Sequence, residues 1–582
     1  MTDRGDERAL LIYDGDCAFC RYWVDAWRAE TGDRVIYAPS QEIAEKFPDI
    51  PRARYRRSIQ LIDVDGRRYE GAQAAFRALA HAPGKRWLLR LHEVPLVAPV
   101  SEWAYRVIAR HRGFFFRVTK LLWGPRVERA RHGLTAWIFL RALALVYLFA
   151  FLSWLPQLPG LIGQDGILPA GPPAAVFQLA ALLGAAASIA AFSGRFIGPM
   201  FLAAWVLYLL VARAAGNFSG YQWDALLLEA GFLAIFLAPF RSPRPGDGRI
   251  AASPTVVWLY RFLLFRLMFS SGVLKLLSGD LSWRGLTALQ HHFETQPLPT
   301  PFAWYAHNFP AALLKSATLA VIVLEIAVPF LFLLPRRARH LGAACAAAFQ
   351  LLIMATGNYA FFNWLTLALC VLLLDDGAVE RFFPKTKTPK KEAHAPRRRL
   401  VTAVAAIVVV LGLTHLAALF VPVPRAAAGL ASAASRLRVV NGYGLFTVMT
   451  TTRPEIVIEG SADGVVWKEY ALRHRPGDVK RAPGLVAPFQ PRLDWDMWFA
   501  ALSPSEANPW FARLMIKLLQ GSKPVLAFFK DNPFPDDPPT YVRATLYRYR
   551  FTTPEERKLD GAWWRRAMRI EYFPAMSLNS LN

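Results

Sequence analysis

The sequence predicts a multi-domain protein. A small α/β domain comes first, then a polytopic α-helical membrane domain of about nine spans, then a β-rich, sandwich-like C-terminal domain carrying helices. Three observations predict this. Of the 582 residues 54% are hydrophobic, and apolar runs of about 20 residues, enough to cross a bilayer, recur between 134 and 421. Before 132, short apolar runs alternate with helix-like stretches around a C-x-x-C pair. After about 434 the chain turns polar and period-two alternation appears. The expected boundaries are 1–131, 132–421 and 422–582.

In the N-terminal domain LLIYDGD reads as a buried strand and 17–30 as a helix. Val35–Ala38 and Ser58–Val64 read as strands, Asp65-Gly66 as a hairpin turn into Arg68–Tyr69, and 71–90 as a helix. Cys17 and Cys20 stand at the start of the first helix. That spacing allows a mutual disulfide, and a helix N-terminus favours the thiolate. Strand, C-x-x-C helix, strand, hairpin and helix is a thioredoxin-like order. Structural zinc usually needs four ligands, and the other cysteines, Cys345 and Cys370, lie far away in apolar segments. Two merely buried cysteines are the other alternative to a redox pair.

YDGDCAFCRYWV, RVIYAPSQ and SIQLIDVDGRRYEGAQAAFRAL resemble the DCC family of thiol–disulfide oxidoreductases over about 12–125. The resemblance implies Asp16, Cys17 and Cys20 as functional residues, Cys17 attacking and Cys20 resolving. No proline immediately precedes SIQLIDV, where thioredoxins place a cis-proline beside the thiols, so substrate binding is expected to differ.

The expected spans are 134–155, 174–193, 197–214, 224–240, 255–277, 312–334, 339–356, 361–374 and 400–421. The net charge of +25 raises the possibility of nucleic acid, but its distribution argues against it. Basic residues crowd the segment before span one and the loops with Arg241, Arg244 and Arg249, and with Arg336, Arg337 and Arg339. They crowd again over 381–399. Loops 157–173, 215–223 and 357–360 carry no Lys or Arg. This positive-inside pattern predicts a cytoplasmic N-terminus and a C-terminal domain on the far side. The polar start, MTDRGDERA, does not read as a signal peptide. The linker PKTKTPKKEAHAPRRR (384–399) reads as a solvated loop or a contact for anionic lipid.

Ionisable residues inside spans usually face an interior. Asp224 and Glu229 in span four, Arg261, Arg266 and Lys275 in span five, Glu325 in span six and Arg141 in span one stand out. Acids on spans four and six and bases on spans one and five are expected to neutralise one another. A polar cavity with chemistry is the alternative. Asp224 and Lys275 also fit an interfacial position.

GLIGQDGILP, NFSGYQWDALLLEAGFLAIFLAP, FSSGVLKLLSGDLSWRGLTALQHHFETQPLPTPFAWYAHNFP and TGNYAFFNWLTLALCVLLLDD are similar to the lipase maturation factor family. So are RPEIVIEGSADGVVWKEY, PRLDWDMWFAAL and KDNPFPDDPPTYVRATLYRYRF, for a coverage of about 134–575. GVLKL followed by an acid and tryptophan (272–283) resembles the segment of vitamin K-dependent carboxylases that carries a catalytic lysine, which would make Lys275 a general base. A third reading is a membrane thiol oxidoreductase relaying electrons through Cys345 and Cys370.

In the C-terminal domain 455–470 reads as two strands around Ala462-Asp463-Gly464, 540–551 as another strand, and 494–520 as an amphipathic helix rich in Trp and Phe. No G-x-S-x-G context is present, and no P-loop or dinucleotide fingerprint. The resemblance implies a membrane maturation factor assisting exported client proteins, lipases among them, with a cytoplasmic thiol module and an unidentified thiol partner. No cofactor, metal or nucleic acid is expected. The expected location is a bacterial inner membrane with the C-terminal domain periplasmic.

Overall fold

A computed structural model describes residues 8–125, 130–169, 172–240, 250–383 and 395–581. Arg241, Arg244, Arg249, Lys385, Lys387, Lys390 and Lys391 of the expected basic loops lie outside the described residues. The chain forms two compact units, Met1–Ala130 with Leu334–Ala338, and Arg131–Leu333 with Arg339–Asn582.

In the first unit the apolar run ALLIY forms β1 (Ala9–Tyr13). Helix α1 (Ala18–Thr31) crosses to β2 (Val35–Pro39), which pairs parallel to β1. Strand β3 (Gln60–Ile62) pairs antiparallel on the other side of β1, Leu11 opposite Leu61, and turns at Gly66 into β4 (Arg68–Glu70). The sheet order is β2-β1-β3-β4. Leu11, Val24, Leu61, Ala74 and Ala78 form its core together with Cys20. The helix expected over 71–90 is two helices, α2 (Gly71–Ala80) and α3 (Trp87–Glu93). Pro83, which cannot continue a helix, and Gly84, with φ +77°, separate them. Helices α4 (Val97–Arg110) and α5 (Arg112–Trp123) complete the unit.

The second unit opens with α6 (Gly133–Trp154), α7 (Ala174–Ser193), α8 (Ile197–Ala214), α9 (Gln222–Leu237) and α10 (Pro254–Leu277). Then come α11 (Ala311–Leu331), α12 (Arg336–Thr356), α13 (Phe362–Val371) and α14 (Arg398–Ala417). Among the described residues seven of these are long and apolar enough to cross a membrane. The count is eight if α13 and the helix Asp376–Phe382, bent by 106° from it, make one span. Nine were expected; α9 is the other helix on which the count turns. Helix α9 has 16 residues and is about 24 Å long, short of the roughly 30 Å hydrocarbon core. It is buried along nearly its whole length, and a helix covered on every side has the same apolar composition as a span.

Hydrogen bonds show which helix ends meet. At one end of the bundle the Asp376 carboxylate accepts from the N–H groups of Gly133, Leu134 and Thr135 at 3.0, 2.9 and 3.1 Å. There too Gly198 N–H donates to the Pro239 carbonyl. The C-terminal part docks at the other end. Ser153 and Gln157 at the finish of α6 bond Gln490, and Asn358, between α12 and α13, bonds Gly484 and Val486.

The C-terminal part holds one antiparallel sheet of β5 (Arg453–Ser461), β6 (Lys468–Tyr470), β7 (Tyr541–Phe551) and β8 (Trp564–Met576), in the order β6-β5-β7-β8. Among the described residues no second sheet faces it, so the sandwich expectation is corrected. Helices supply the other layer: α16 (Arg492–Ala500) packs on β5, and α17 (Pro509–Leu519) on β7. The preceding helix is α15 (Arg425–Arg436). The single helix expected over 494–520 is broken between α16 and α17, where Pro504 and Pro509 interrupt it.

Candidate functional site

Two groups of residues have chemistry, one in each unit. In the first, the loop after β1 must turn sharply into α1. Gly15 allows this, because a Cβ there would sit 2.7 Å from Gln41 Oε1 and 2.8 Å from Pro39 Cβ. Gln41 holds the loop, accepting from Gly15 N–H at 3.0 Å and donating to the carboxylates of Asp14 and Asp16 at 3.1 Å each. Cys17 is then the N-cap of α1, and its Sγ accepts the Cys20 N–H at 3.2 Å. The two Sγ atoms are 2.7 Å apart and both thiols are free.

The Cys17 thiol is pulled down to about 6. The hydrogen bond from the Cys20 thiol is the largest cause, helped by the Cys20 backbone N–H and the Arg112 charge and opposed by burial. Cys20 moves upward, because it keeps the shared proton and is more buried. The arrangement can present a thiolate at Cys17 with a protonated thiol ready to resolve a mixed disulfide. Asp16 is exposed and bonds Gln41. It is Asp14 whose carboxylate lies 3.7 Å from Arg112, at the start of α5. At the start of β3, where a cis-proline would stand, Ile59 N–H donates to the Tyr105 hydroxyl at 2.9 Å. Asp14, Arg112 and Tyr105 escape sequence reading because the last two lie about 90 residues from the motif.

The ordinary thiol value is 9.0 and the folded value about 6. Alkylation of Cys17 by iodoacetamide, followed on its own peptide by mass spectrometry, is expected to rise through pH 6 and level off below pH 9. A rise centred near 9 would contradict this. By linkage, the thiolate's contribution to stability of the reduced form is full above pH 9 and is lost as pH falls through about 6.

In the second unit Asp224, Glu229, Arg266, Lys275 and Glu325 of the expected intramembrane residues enter buried anchors under the C-terminal part. Asp224 lies in the first turn of α9. Its partner is not a base on a span but Arg492 of α16, which reaches both carboxylate oxygens at 2.9 and 3.1 Å. Arg492 also donates to the Phe218 carbonyl at 2.5 Å and the Tyr208 hydroxyl at 3.2 Å, and lies 3.4 Å over the Trp154 ring. One turn along α16, Asp496 accepts from the Tyr221 hydroxyl at 2.8 Å. Burial pushes its carboxyl up to about 8, which spares the Arg492–Asp224 pair a second negative neighbour.

Glu229, also on α9, pairs with Arg266 of α10, as the arrangement of acids and bases predicts. Its other oxygen accepts from Asn441 N–H at 2.9 Å, Asn441 Nδ2 at 3.0 Å and the Tyr443 hydroxyl at 2.8 Å. Arg266 in turn donates to the Asn441 carbonyl at 3.0 Å. Gly412 on α14 makes room, since a Cβ there would lie 3.0 Å from Arg266 Cδ and Nε.

Lys275, in the last turn of α10, donates to Glu325 at 2.6 Å, the Leu445 carbonyl at 2.8 Å and the Ser271 carbonyl at 3.4 Å. Those three acceptors occupy all three N–H donors of an ammonium. Arg261 and Arg141 do not join these anchors. Arg261 donates to the Leu372 carbonyl and His132 Nε2, and Arg141 lies over the Trp137 ring at 3.7 Å. Cys370 is buried in the helix core and Cys345 packs at its margin.

Sequence reasoning missed the partners in the C-terminal part. A fourth anchor consists wholly of residues not singled out. Arg453 donates to Glu455 at 2.7 Å and to the carbonyls of Glu294, Gln296 and Pro297 at 2.6, 2.5 and 3.0 Å. Arg475 closes the group on Glu455 at 2.9 Å. The one available signal was charge set among large apolar residues, as Arg492, Asp494 and Asp496 are in PRLDWDMWF, since a buried charge requires a partner.

A bundle of membrane-length helices, tied by buried ion pairs to a sheet-bearing C-terminal part and preceded by an α/β thiol unit, defines an integral membrane protein. Two family models, described as lipase maturation factor transmembrane domain and lipase maturation factor C-terminal domain, match residues 134–173 with 171–381, and 439–574. A third, DCC1-like thiol-disulfide oxidoreductase, matches 11–118. Lipase maturation factor 2 of Rattus norvegicus is 35% identical over 76% of this chain and 83% of its own length. Lipase maturation factor 2 of Homo sapiens is 35% identical over 76% and 82%, and lipase maturation factor 1 of Bos taurus 34% identical over 78% and 92%. No solved structure matches. The chain belongs to the lipase maturation factor family.

Proposed function

We propose that this protein is a membrane-embedded maturation factor that assists the folding or assembly of exported clients, lipases among them, through its C-terminal part. The observation that carries the proposal is the match of both lipase maturation factor models along one chain. The buried anchors fit a binding scaffold. They fasten residues 439–576 to the helix bundle, and Lys275 serves as a paired ammonium rather than as a general base. The domains are 1–131, thioredoxin-like, then 132–421 and 422–582. The basic loops face the cytoplasm and the C-terminal part faces the export side, which in a bacterium is the periplasm. The docking of the C-terminal part opposite the Gly133 end of α6 supports that sidedness. In the N-terminal domain Cys17 attacks a partner's disulfide and Cys20 resolves it, with Asp16 helping to shape the loop.

The test is photo-crosslinking from the C-terminal part in cells that secrete a lipase, with and without the protein. Recovery of the lipase, and a several-fold fall in secreted lipase activity without the protein, are expected. Unchanged secretion with only small molecules recovered would overturn the reading. A Cys20→Ser variant is expected to accumulate a mixed disulfide through Cys17, visible on a non-reducing gel and absent from Cys17→Ser/Cys20→Ser.

A further inference from the structure

The three helices α3–α5 carry apolar residues that none of the described residues covers. On α3 and its end, Trp87, Leu91 and Val94 are exposed and recur at i, i+4 and i+7. At the start of α4 and along it, Leu96, Val100 and Trp103 do the same, with Leu96 75% and Trp103 63% exposed. On α5, Phe114 and Leu121 are seven residues apart, and Leu121 is 68% exposed. Such spacing puts each set on one helix face. In a water-soluble domain these faces would be turned inward. Here three consecutive helices turn them outward.

The charge of the same stretch is one-sided. Between 85 and 123 stand Lys85, Arg86, Arg90, Arg106, Arg110, Arg112, Arg117 and Lys120 against only Glu93 and Glu102. Apolar faces bordered by Lys and Arg are the pattern of helices that lie in a membrane interface, apolar side among the acyl chains and basic side among anionic headgroups. The covalent chain adds a third argument. Helix α5 ends at Trp123 and the first membrane-length helix begins at Gly133. Ten backbone steps reach at most about 36 Å, so the end of α5 is tethered within that reach of the start of the first membrane-length helix.

We propose that helices α3–α5 form a membrane-interface docking surface that holds the thiol unit against anionic phospholipid. The surface and the thiols move as one piece. Helix α5 is packed on α1, with Tyr22 against Phe116 and Trp23 against Trp123 at 6.0 and 5.5 Å between ring centroids. A thiol partner would then be met at the membrane surface rather than in bulk solvent. The proposal is independent of the maturation reading.

The test uses the full-length protein in nanodiscs of phosphatidylcholine with phosphatidylglycerol. A photo-reactive benzoylphenylalanine replaces Trp103 or Leu121 in turn. Val64, an exposed residue at the β3–β4 turn of the same unit, is the control. Because all three positions are exposed, the substitutions leave the core intact. Lipid adducts are expected at 103 and 121 at about fivefold or more the yield at 64, falling several-fold in phosphatidylcholine alone or in high salt. Yields equal to those at 64, adducts to a second copy of the protein instead of lipid, or indifference to phosphatidylglycerol would each overturn the proposal.

Discussion

Arg492→Ala is expected to destabilise the protein by about 3–5 kcal/mol, because it leaves Asp224 as a buried charge without its counter-ion. The loss is larger than that of one ion pair. Arg492 also satisfies the Phe218 carbonyl and covers the Trp154 ring. Arg492→Lys is expected to recover little, since an ammonium cannot span both Asp224 oxygens and stack on an indole. Asp224→Leu with Arg492→Met is expected to recover most of the loss, because no unpaired charge remains. Denaturant unfolding in detergent, combined with limited proteolysis, reads both quantities. A loss under about 1 kcal/mol for Arg492→Ala would show that the pair is not what fastens α16 to the bundle.

Glu229→Ala should have an effect of the same size by a different route. It strands the Arg266 cation among apolar helices and removes three hydrogen bonds that hold Asn441 and Tyr443, at a cost of about 3–5 kcal/mol. The visible consequence is local. Amide exchange across 439–447 is expected to accelerate strongly, while the paired strands β5 and β7 stay protected. Glu229→Gln retains an oxygen acceptor without the charge and should fall between wild type and alanine. Unchanged exchange over 439–447 in Glu229→Ala would remove this residue from any role in seating the C-terminal part.

Much of the architecture was legible because its cause is local. Strands β1–β4 follow from short apolar runs and a Gly66 turn, and α1 from the cap at Cys17. Span-length helices follow from the oily runs. What went wrong went wrong for stated reasons. Pro83 and Gly84, and later Pro504 and Pro509, split helices that composition joins. Helix α9 is enclosed along nearly its whole length, and such a helix uses the same apolar residues as a lipid-facing one. Strand β8, WRRAMRIEYFPAM, lacks clear alternation because it lies at the sheet edge with one neighbour and much of it exposed. The sandwich expectation failed because strands report that one face needs cover, not whether a sheet or helices will provide it.

The candidate residues divide in the same way. Cys17 and Cys20 stood out because two thiols lie within four residues at the start of a helix; the cap and the shared proton were added by the structure. Glu229 with Arg266, and Glu325 with Lys275, were readable as charges that had to be neutralised. The sequence by itself thus determined the thiol motif, the membrane composition and the need for buried counter-charges. Only the tertiary structure decided that Asp224 answers to Arg492, that Glu229 and Lys275 also hold the 441–445 segment, and that Asp14 rather than Asp16 lies beside Arg112. The physical reason is range. A buried charge makes some partner obligatory, but the partner's identity depends on which backbone segment, here 170 to 268 residues away for the three membrane-domain charges, is packed against it.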